Sequence, residues 1–199
     1  MDRLIREHGD CRLVADPRRS PFESLVRAVA HQQLNGTAAE SILGRFRALF
    51  PGKRFPGPAD LAAISDEALR GAGFSRAKIA ALRDIAEKTV AGVVPSSRAI
   101  ARMTDDEIIA RLTQVRGVGR WTVEMMLIFK LGRADVWPVD DFGVRNGYRI
   151  AYDLPALPSA KELHLLGERW RPHRTTAAWY LWRAADAARK TKAVRGINA

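Results

Sequence analysis

Cysteine is almost missing: Cys11 is the single one in 199 residues. One thiol excludes an internal disulfide and a cysteine-rich metal cluster, and it fits a reducing compartment. Histidine is scarce too, and His31 has no partner ligands at metal spacing, so no metal site is expected. No apolar run approaches the ~20 residues that span a bilayer. Met1-Asp2-Arg3-Leu4-Ile5-Arg6-Glu7 lacks the apolar centre of a secretory signal. A soluble cytoplasmic protein with no membrane partner is therefore expected. Acidic residues are the minority, 22 against 33 Lys and Arg, giving a net charge of +11. That balance favours a polyanionic partner, nucleic acid ahead of an anionic membrane. No sustained strand pattern and no long-period repeat is visible.

What is present is helical signal. Hydrophobic residues make up 47% of the chain, enough for one compact unit or two small lobes. Ser20-Pro21-Phe22-Glu23 places Ser at N-cap, Pro at N1 and Glu at N3, ahead of an apolar face of Phe22, Leu25, Val26, Val29 and Ala30. Thr37-Ala38-Ala39-Glu40 reads as the cap of a helix that Pro51-Gly52 stops, and Pro56-Gly57-Pro58 as a loop. Ser65, Ser75 and Ser159 open further helices, and a last helix follows Pro172. The stretch from about Lys190 is basic and poor in apolar residues, so order is expected to fade there. The fold class expected is all-α.

The chain is organised around Val115-Arg116-Gly117-Val118-Gly119-Arg120-Trp121-Thr122. Thr104-Asp105-Asp106-Glu107 reads as a capping box before it, and a strongly apolar helix through Val123, Met126 and Leu127 follows. Between them, two glycines let the backbone turn sharply and leave amides uncovered at a helix N-terminus, which suits an anion. An ordinary turn between two helices is the competing reading. Trp137-Pro138-Val139-Asp140-Asp141 comes next. Either aspartate would cap the helix carrying Val144, Tyr148 and Ile150, leaving the other for a different task.

Together these residues resemble the helix-hairpin-helix plus Gly/Pro-Asp signature of the DNA base-excision glycosylase superfamily. Val118-Gly119-Arg120-Trp121-Thr122 and Trp137-Pro138-Val139-Asp140-Asp141 most resemble its 3-methyladenine DNA glycosylase II (AlkA-type) branch. The likeness runs from about Pro21 to about Arg183. It implies a two-lobed fold with a cleft between the lobes. One lobe would hold residues 21–133, with the helix-hairpin-helix at about 105–131, and the other residues 1–20 and 134–199. It implies no extra N-terminal β-domain, since about twenty residues precede Pro21. The iron–sulfur loop of some superfamily members needs cysteines that this chain lacks.

The resemblance also assigns roles. Asp141 would be the catalytic carboxylate, stabilising the positive charge that builds on the sugar as the N-glycosidic bond breaks and orienting the attacking water. Members that also cut the strand carry a lysine where Trp121 stands; a tryptophan cannot form a Schiff base, so a monofunctional hydrolase is expected. Trp121, Trp182, Phe22 and Met125 would line the pocket of the extruded base, where an indole face attracts a cationic N3- or N7-methylpurine. For any single tryptophan, plain core packing is the competing reading. Leu34, with Gln33, would wedge into the gap left by the flipped nucleotide. A helix stop with Asn35-Gly36 in the left-handed region is the alternative. Gly117, Gly119, Arg116 and Arg120 would hold DNA phosphates, with Ser75, Arg76 and Lys78 as a second contact. No cofactor is required, although such a hairpin can hold a structural monovalent cation on its carbonyls.

The function implied is hydrolytic removal of alkylated bases (3-methyladenine, 7-methylguanine type) from damaged double-stranded DNA in base excision repair. A monomer is expected, associated with the nucleoid if the source is bacterial. The alternatives are a monofunctional glycosylase for uracil, mismatched thymine or hypoxanthine, and a lesion-binding module without catalysis.

Overall fold

The structure, a computed structural model, describes residues 1–34 and 36–197, with side chains through residue 190. Among these residues it is helical and holds no strand. In chain order, α1 (Asp2–His8) precedes α2 (Pro21–His31), α3 (Gly36–Ala48), α4 (Pro58–Ala63), α5 (Asp66–Gly71), α6 (Arg76–Val90) and α7 (Ser97–Ile100). There follow α8 (Asp105–Leu112), α9 (Arg120–Phe129), α10 (Phe142–Ala151), α11 (Ala160–Gly167), a 3-10 turn (Glu168–Trp170) and α12 (Arg174–Ile197). The chain divides into a central unit, Asp16–Leu131, and a terminal unit, Met1–Ala15 with Gly132–Ala199.

Helix starts follow side-chain chemistry. The Ser20 hydroxyl accepts from the Glu23 amide at 3.0 Å, and Ser65, Ser75 and Ser96 cap α5, α6 and α7 in the same way. Thr104 with Glu107 and Ser159 with Glu162 form complete capping boxes. Each such cap stabilises its helix by about 1 kcal/mol. In α2 the box is half made. The Glu23 side chain turns inward, 3% exposed, and accepts from Arg27 at 3.0 Å and Arg54 at 2.9 Å.

In the central unit α2 is the hub, packing on α3, α6 and α9, while α4 and α5 pack on α6 and α8 on α9. Leu25, Val26, Val29, Leu43, Phe46, Leu82, Ile85 and Val123 are sealed from solvent. In the terminal unit α10 lies against α12, and α1 closes on α12. Leu181 carbonyl oxygen would stand 1.9 Å from a Cβ on Gly147, so only glycine allows that approach.

Several local expectations are corrected. Gly36 is already helical, which puts Thr37 inside the first turn of α3 rather than at its cap. Pro58 is not loop but the first residue of α4, where the Asp60 carboxylate accepts from the Gly57 amide at 2.8 Å. Helix α12 includes the basic stretch beyond Lys190, to Ile197. The left-handed residue after α2 is Gln33, at φ 57. Gly36 has no positive φ, and the Asn35 part of that expectation lies outside the described residues.

Candidate active site

In the terminal unit the site grows from the start of α10. The Asp141 amide donates to the Pro138 carbonyl at 3.1 Å, a tight turn that delivers the Asp141 side chain to the helix N-terminus. Its Oδ1 accepts from the Val144 amide at 2.8 Å and from the Trp182 indole N–H at 2.8 Å. Asp141 is therefore the N-cap, 9% exposed, whereas Asp140 is exposed. Two fixed donors on one oxygen hold the carboxylate plane, and the helix N-terminus favours its negative charge.

Gly143 makes that pairing possible. A Cβ there would lie 2.8 Å from Trp182 Cδ1 and 3.0 Å from Asp141 Oδ1. Trp182 is half-buried beside the carboxylate. Trp137, by contrast, is core: 6% exposed, it donates its N–H to the Leu163 carbonyl at 2.8 Å.

In the central unit the hairpin between α8 and α9 is pinned from three sides. Val115 and Val118 are buried and joined by a Val118 N–H to Val115 carbonyl bond of 3.0 Å. The Arg116 amide donates to Asp84 at 2.6 Å. Gln32, from the end of α2, donates through its amide nitrogen to the Gly117 carbonyl at 2.8 Å and to the Thr122 hydroxyl at 3.1 Å. Gly117 sits at φ 73, where a Cβ would press on Ala81 Cβ at 2.9 Å. The Gly117 and Gly119 amides are exposed and donate to nothing among the described residues. They form a seat of the kind that binds a phosphate oxygen. Arg116 and Arg120 flank it; Arg120 is also bonded to Glu124 at 3.0 Å.

Beside the hairpin, α9 presents Trp121, Met125, Met126 and Phe129 to a cavity of about 380 Å³. Ser24, Ala28 and His31 of α2 and Glu40 of α3 complete much of the wall. That volume falls in the range of about 300–1,000 Å³ common for small-molecule pockets. Its wall is mostly apolar, with one indole. A larger depression of about 640 Å³ over α5 and α6 is walled mostly by charged side chains and by no aromatic one, which does not suit a flat base.

Not every residue named from the sequence lies in that cavity. Phe22 is 4% exposed and does not line the cavity; helix α2 turns it into the core with Leu25 and Val26. Leu34 is 40% exposed at the end of α2, next to exposed Gln33. Lys78 gives its ammonium to the carbonyls of Ala30 at 2.9 Å and Gln32 at 3.0 Å, not to the surface at the start of α6. Burial lowers its pKa from the ordinary lysine value. Lys130 lines the cavity, its ammonium 3.5 Å from the Pro17 carbonyl. Burial pushes its pKa down, against the opposing charge of Asp16. Gln32, Asp84 and Gly143 escaped the sequence, and Lys78 was read from it only as a phosphate contact, because their partners lie between 32 and 90 residues away.

A helical protein with a glycine hairpin, a capping carboxylate under an indole and a mostly apolar cavity is the kind of scaffold that handles nucleic acid bases. Residues 26–172 match the HhH-GPD superfamily of base excision DNA repair proteins, and the chain belongs to that family. It is 45% identical over 198 residues to DNA-3-methyladenine glycosylase 1 of Schizosaccharomyces pombe, spanning 97% of this chain and 85% of that protein. Among solved structures, the S. pombe 3-methyladenine DNA glycosylase in complex with abasic DNA superposes with a TM-score of 0.87 at 42% identity, covering 92% of this chain and 89% of that one. A DNA-3-methyladenine glycosidase from Bacillus halodurans gives 0.77 at 36% identity, covering 92% and 83%. No helix among the described residues is long and apolar enough to cross a membrane.

Proposed function

We propose that the protein is a monofunctional DNA glycosylase that hydrolyses the N-glycosidic bond of alkylated purines, of the 3-methyladenine and 7-methylguanine type, in double-stranded DNA. The observation that carries this reading is the Asp141 carboxylate, fixed by the Val144 amide and the Trp182 indole. It is supported by the names of relatives that match nearly the whole chain.

In this mechanism the Gly117 and Gly119 amides, with Arg116 and Arg120, hold the DNA backbone, so binding falls steeply with salt and ignores sequence. Leu34, with Gln33, enters the stack as the lesion nucleotide leaves it, offsetting part of the cost of unstacking. A positively charged methylpurine is drawn to an electron-rich indole face, the role offered to Trp121 with Met125 in the central unit and, separately, to Trp182 in the terminal unit. Such a base is a good leaving group, so few specific hydrogen bonds are needed and several alkylpurines are accepted. Asp141 stabilises the positive sugar as the bond breaks and orients the water that attacks it.

The reaction needs no cofactor. If a monovalent cation binds the hairpin, the carbonyls of Thr113, Arg116 and Val118 would hold it, because they accept no hydrogen bond among the described residues. The Gln114 and Gly117 carbonyls already take Lys88 and Gln32. The enzyme works as a monomer, in the compartment that holds the DNA.

The test uses duplexes bearing single defined lesions. Strand breaks at methylated purines that appear only after hot alkali, with no borohydride-trapped adduct, are expected. Breakage at uracil instead would assign another lesion, and binding without any excision would make the protein a sensor. A trapped adduct would point to Lys130 or another lysine and overturn the monofunctional assignment.

A further inference from the structure

The loop that follows α2 carries more structure than a wedge needs merely to exist. Gln33 occupies the left-handed region at φ 57 without being glycine or asparagine. Such a conformation persists only where surrounding contacts over-determine it. Two side chains fix the residue before it. Lys78 reaches across from α6 and spends two of its three donors on the carbonyls of Ala30 and Gln32, at 2.9 and 3.0 Å. Those are carbonyls of the last turn of α2 and of the residue just beyond it, where a cation also complements the helix dipole. Gln32 itself ties the loop to the hairpin through the Gly117 carbonyl and the Thr122 hydroxyl. Gly117 is one of the two residues whose amides form the phosphate seat. The backbone oxygen that Gln32 holds and the amide that would hold phosphate thus belong to one short turn.

We propose that Gln32 and Lys78 are positioning residues that keep residues 32–34 preformed for entry into the DNA stack and couple the wedge to the hairpin's grip on phosphate. The proposal rests on the reading of Leu34 and Gln33 as the wedge. A loop held in this way loses little conformational freedom on binding, so insertion and backbone capture occur as one event. An unbraced loop would have to order itself while the base leaves the stack. The bracing matters most where extrusion is hardest, at a lesion that is still well paired. It matters least where the base is already mispaired, because less pairing energy opposes extrusion there. Neither side chain lines the cavity beside α9, so the chemistry after extrusion is expected to be unchanged.

The experiment compares wild type with Gln32→Ala, Lys78→Met and Lys78→Arg in single-turnover excision of one methylated purine, placed opposite its normal partner and opposite a mismatch. A 2-aminopurine next to the lesion reports extrusion, and thermal melting reports the fold. Gln32→Ala and Lys78→Met are expected to slow excision on the well-paired duplex roughly tenfold, the scale of losing one or two such hydrogen bonds, and on the mismatched duplex at most about two- to threefold. The aminopurine signal should fall in step, affinity for duplex that already contains an abasic site should hold, and Lys78→Arg should restore most of the loss. Equal losses on both duplexes, or losses that merely follow a lowered melting temperature, would overturn the proposal, as would no loss at all. A wild-type enzyme inert on every methylated duplex is a different result and would overturn the glycosylase reading itself.

Discussion

Asp141 caps α10 and is the carboxylate proposed to do the chemistry, and its substitutions should separate the two roles. Its Oδ1 caps α10 through the Val144 amide and takes the Trp182 indole N–H. Asparagine keeps an oxygen at that place, so both hydrogen bonds survive and only the charge is lost. Alanine removes the cap, at about 1 kcal/mol, and takes the acceptor from a half-buried indole, at about 1–3 kcal/mol. The Asp141→Ala protein should therefore be roughly 2–4 kcal/mol less stable, a melting temperature roughly 5–15 °C lower for a domain of this size. Asp141→Asn should melt within a couple of degrees of wild type yet excise on the order of 10²- to 10³-fold more slowly, the loss seen when a charge-stabilising group is removed from a site. Its affinity for duplex DNA should be unchanged, because the proposed phosphate contacts are made by other residues. Differential scanning calorimetry and single-turnover excision on a 7-methylguanine duplex read the two effects. Undiminished excision by Asp141→Asn would show that another group does the chemistry. Equal melting temperatures for the Ala and Asn variants would refute the capping geometry.

Other substitutions test the remaining parts. Gly117→Ala forces a side chain into the left-handed region and against Ala81 Cβ at 2.9 Å. It should destabilise by roughly 1–2 kcal/mol or more and weaken DNA binding in a filter or anisotropy assay. Gly119→Ala meets nothing within 4 Å and lies at an ordinary extended φ of −89, so it should fold as wild type; similar melting of the two variants would refute the contrast. Trp121→Leu should slow excision of a cationic methylpurine roughly tenfold more than that of a neutral lesion, matching a cation–π term of about 1–2 kcal/mol, and equal slowing would exclude charge recognition by the indole. Burial pushes the Asp135 carboxyl up, but hydrogen bonds from Arg174 and the charges of Arg174 and Arg171 outweigh it and hold the pKa below the ordinary value. A depressed folded value means stability that is present above the unfolded pKa of about 3.9 and lost as pH falls through the folded one. The melting-temperature gap between wild type and Asp135→Asn should thus be steady from neutral pH to about 5 and shrink in more acidic buffer; a gap that widened there would refute the ion pairing.

The features readable in the chain were those whose cause lies within a turn or two. Ser20, Thr104 and Ser159 announce helix starts because the cap and its amide are three residues apart. The Gly117 turn was visible for the same reason. At Asp140-Asp141 local chemistry gave two candidate caps and no means of choosing. The structure makes Asp141 the cap, so the residue that holds the helix is also the one offered for catalysis, and it was the family resemblance that had singled it out. Trp182 lies 41 residues from Asp141, and Gln32 lies 85 from Gly117. No periodicity or spacing links such pairs, because they meet only where helices cross.

The crossing itself depends on residues that local rules count as defects. Gly147 lies inside α10, where glycine costs about 1 kcal/mol against alanine. Read along the chain, it argues weakly against a helix. In space it is what lets α12 come close enough for Leu181 to touch the α10 backbone, and Trp182 is the next residue. Gly143, one turn earlier, repeats the arrangement against the indole itself. A side chain at either position would push α12 outward and take the indole from the Asp141 carboxylate. The terminal unit thus accepts a less stable helix in exchange for an oriented acid. The sequence shows only the penalty, because the compensating contact belongs to α12.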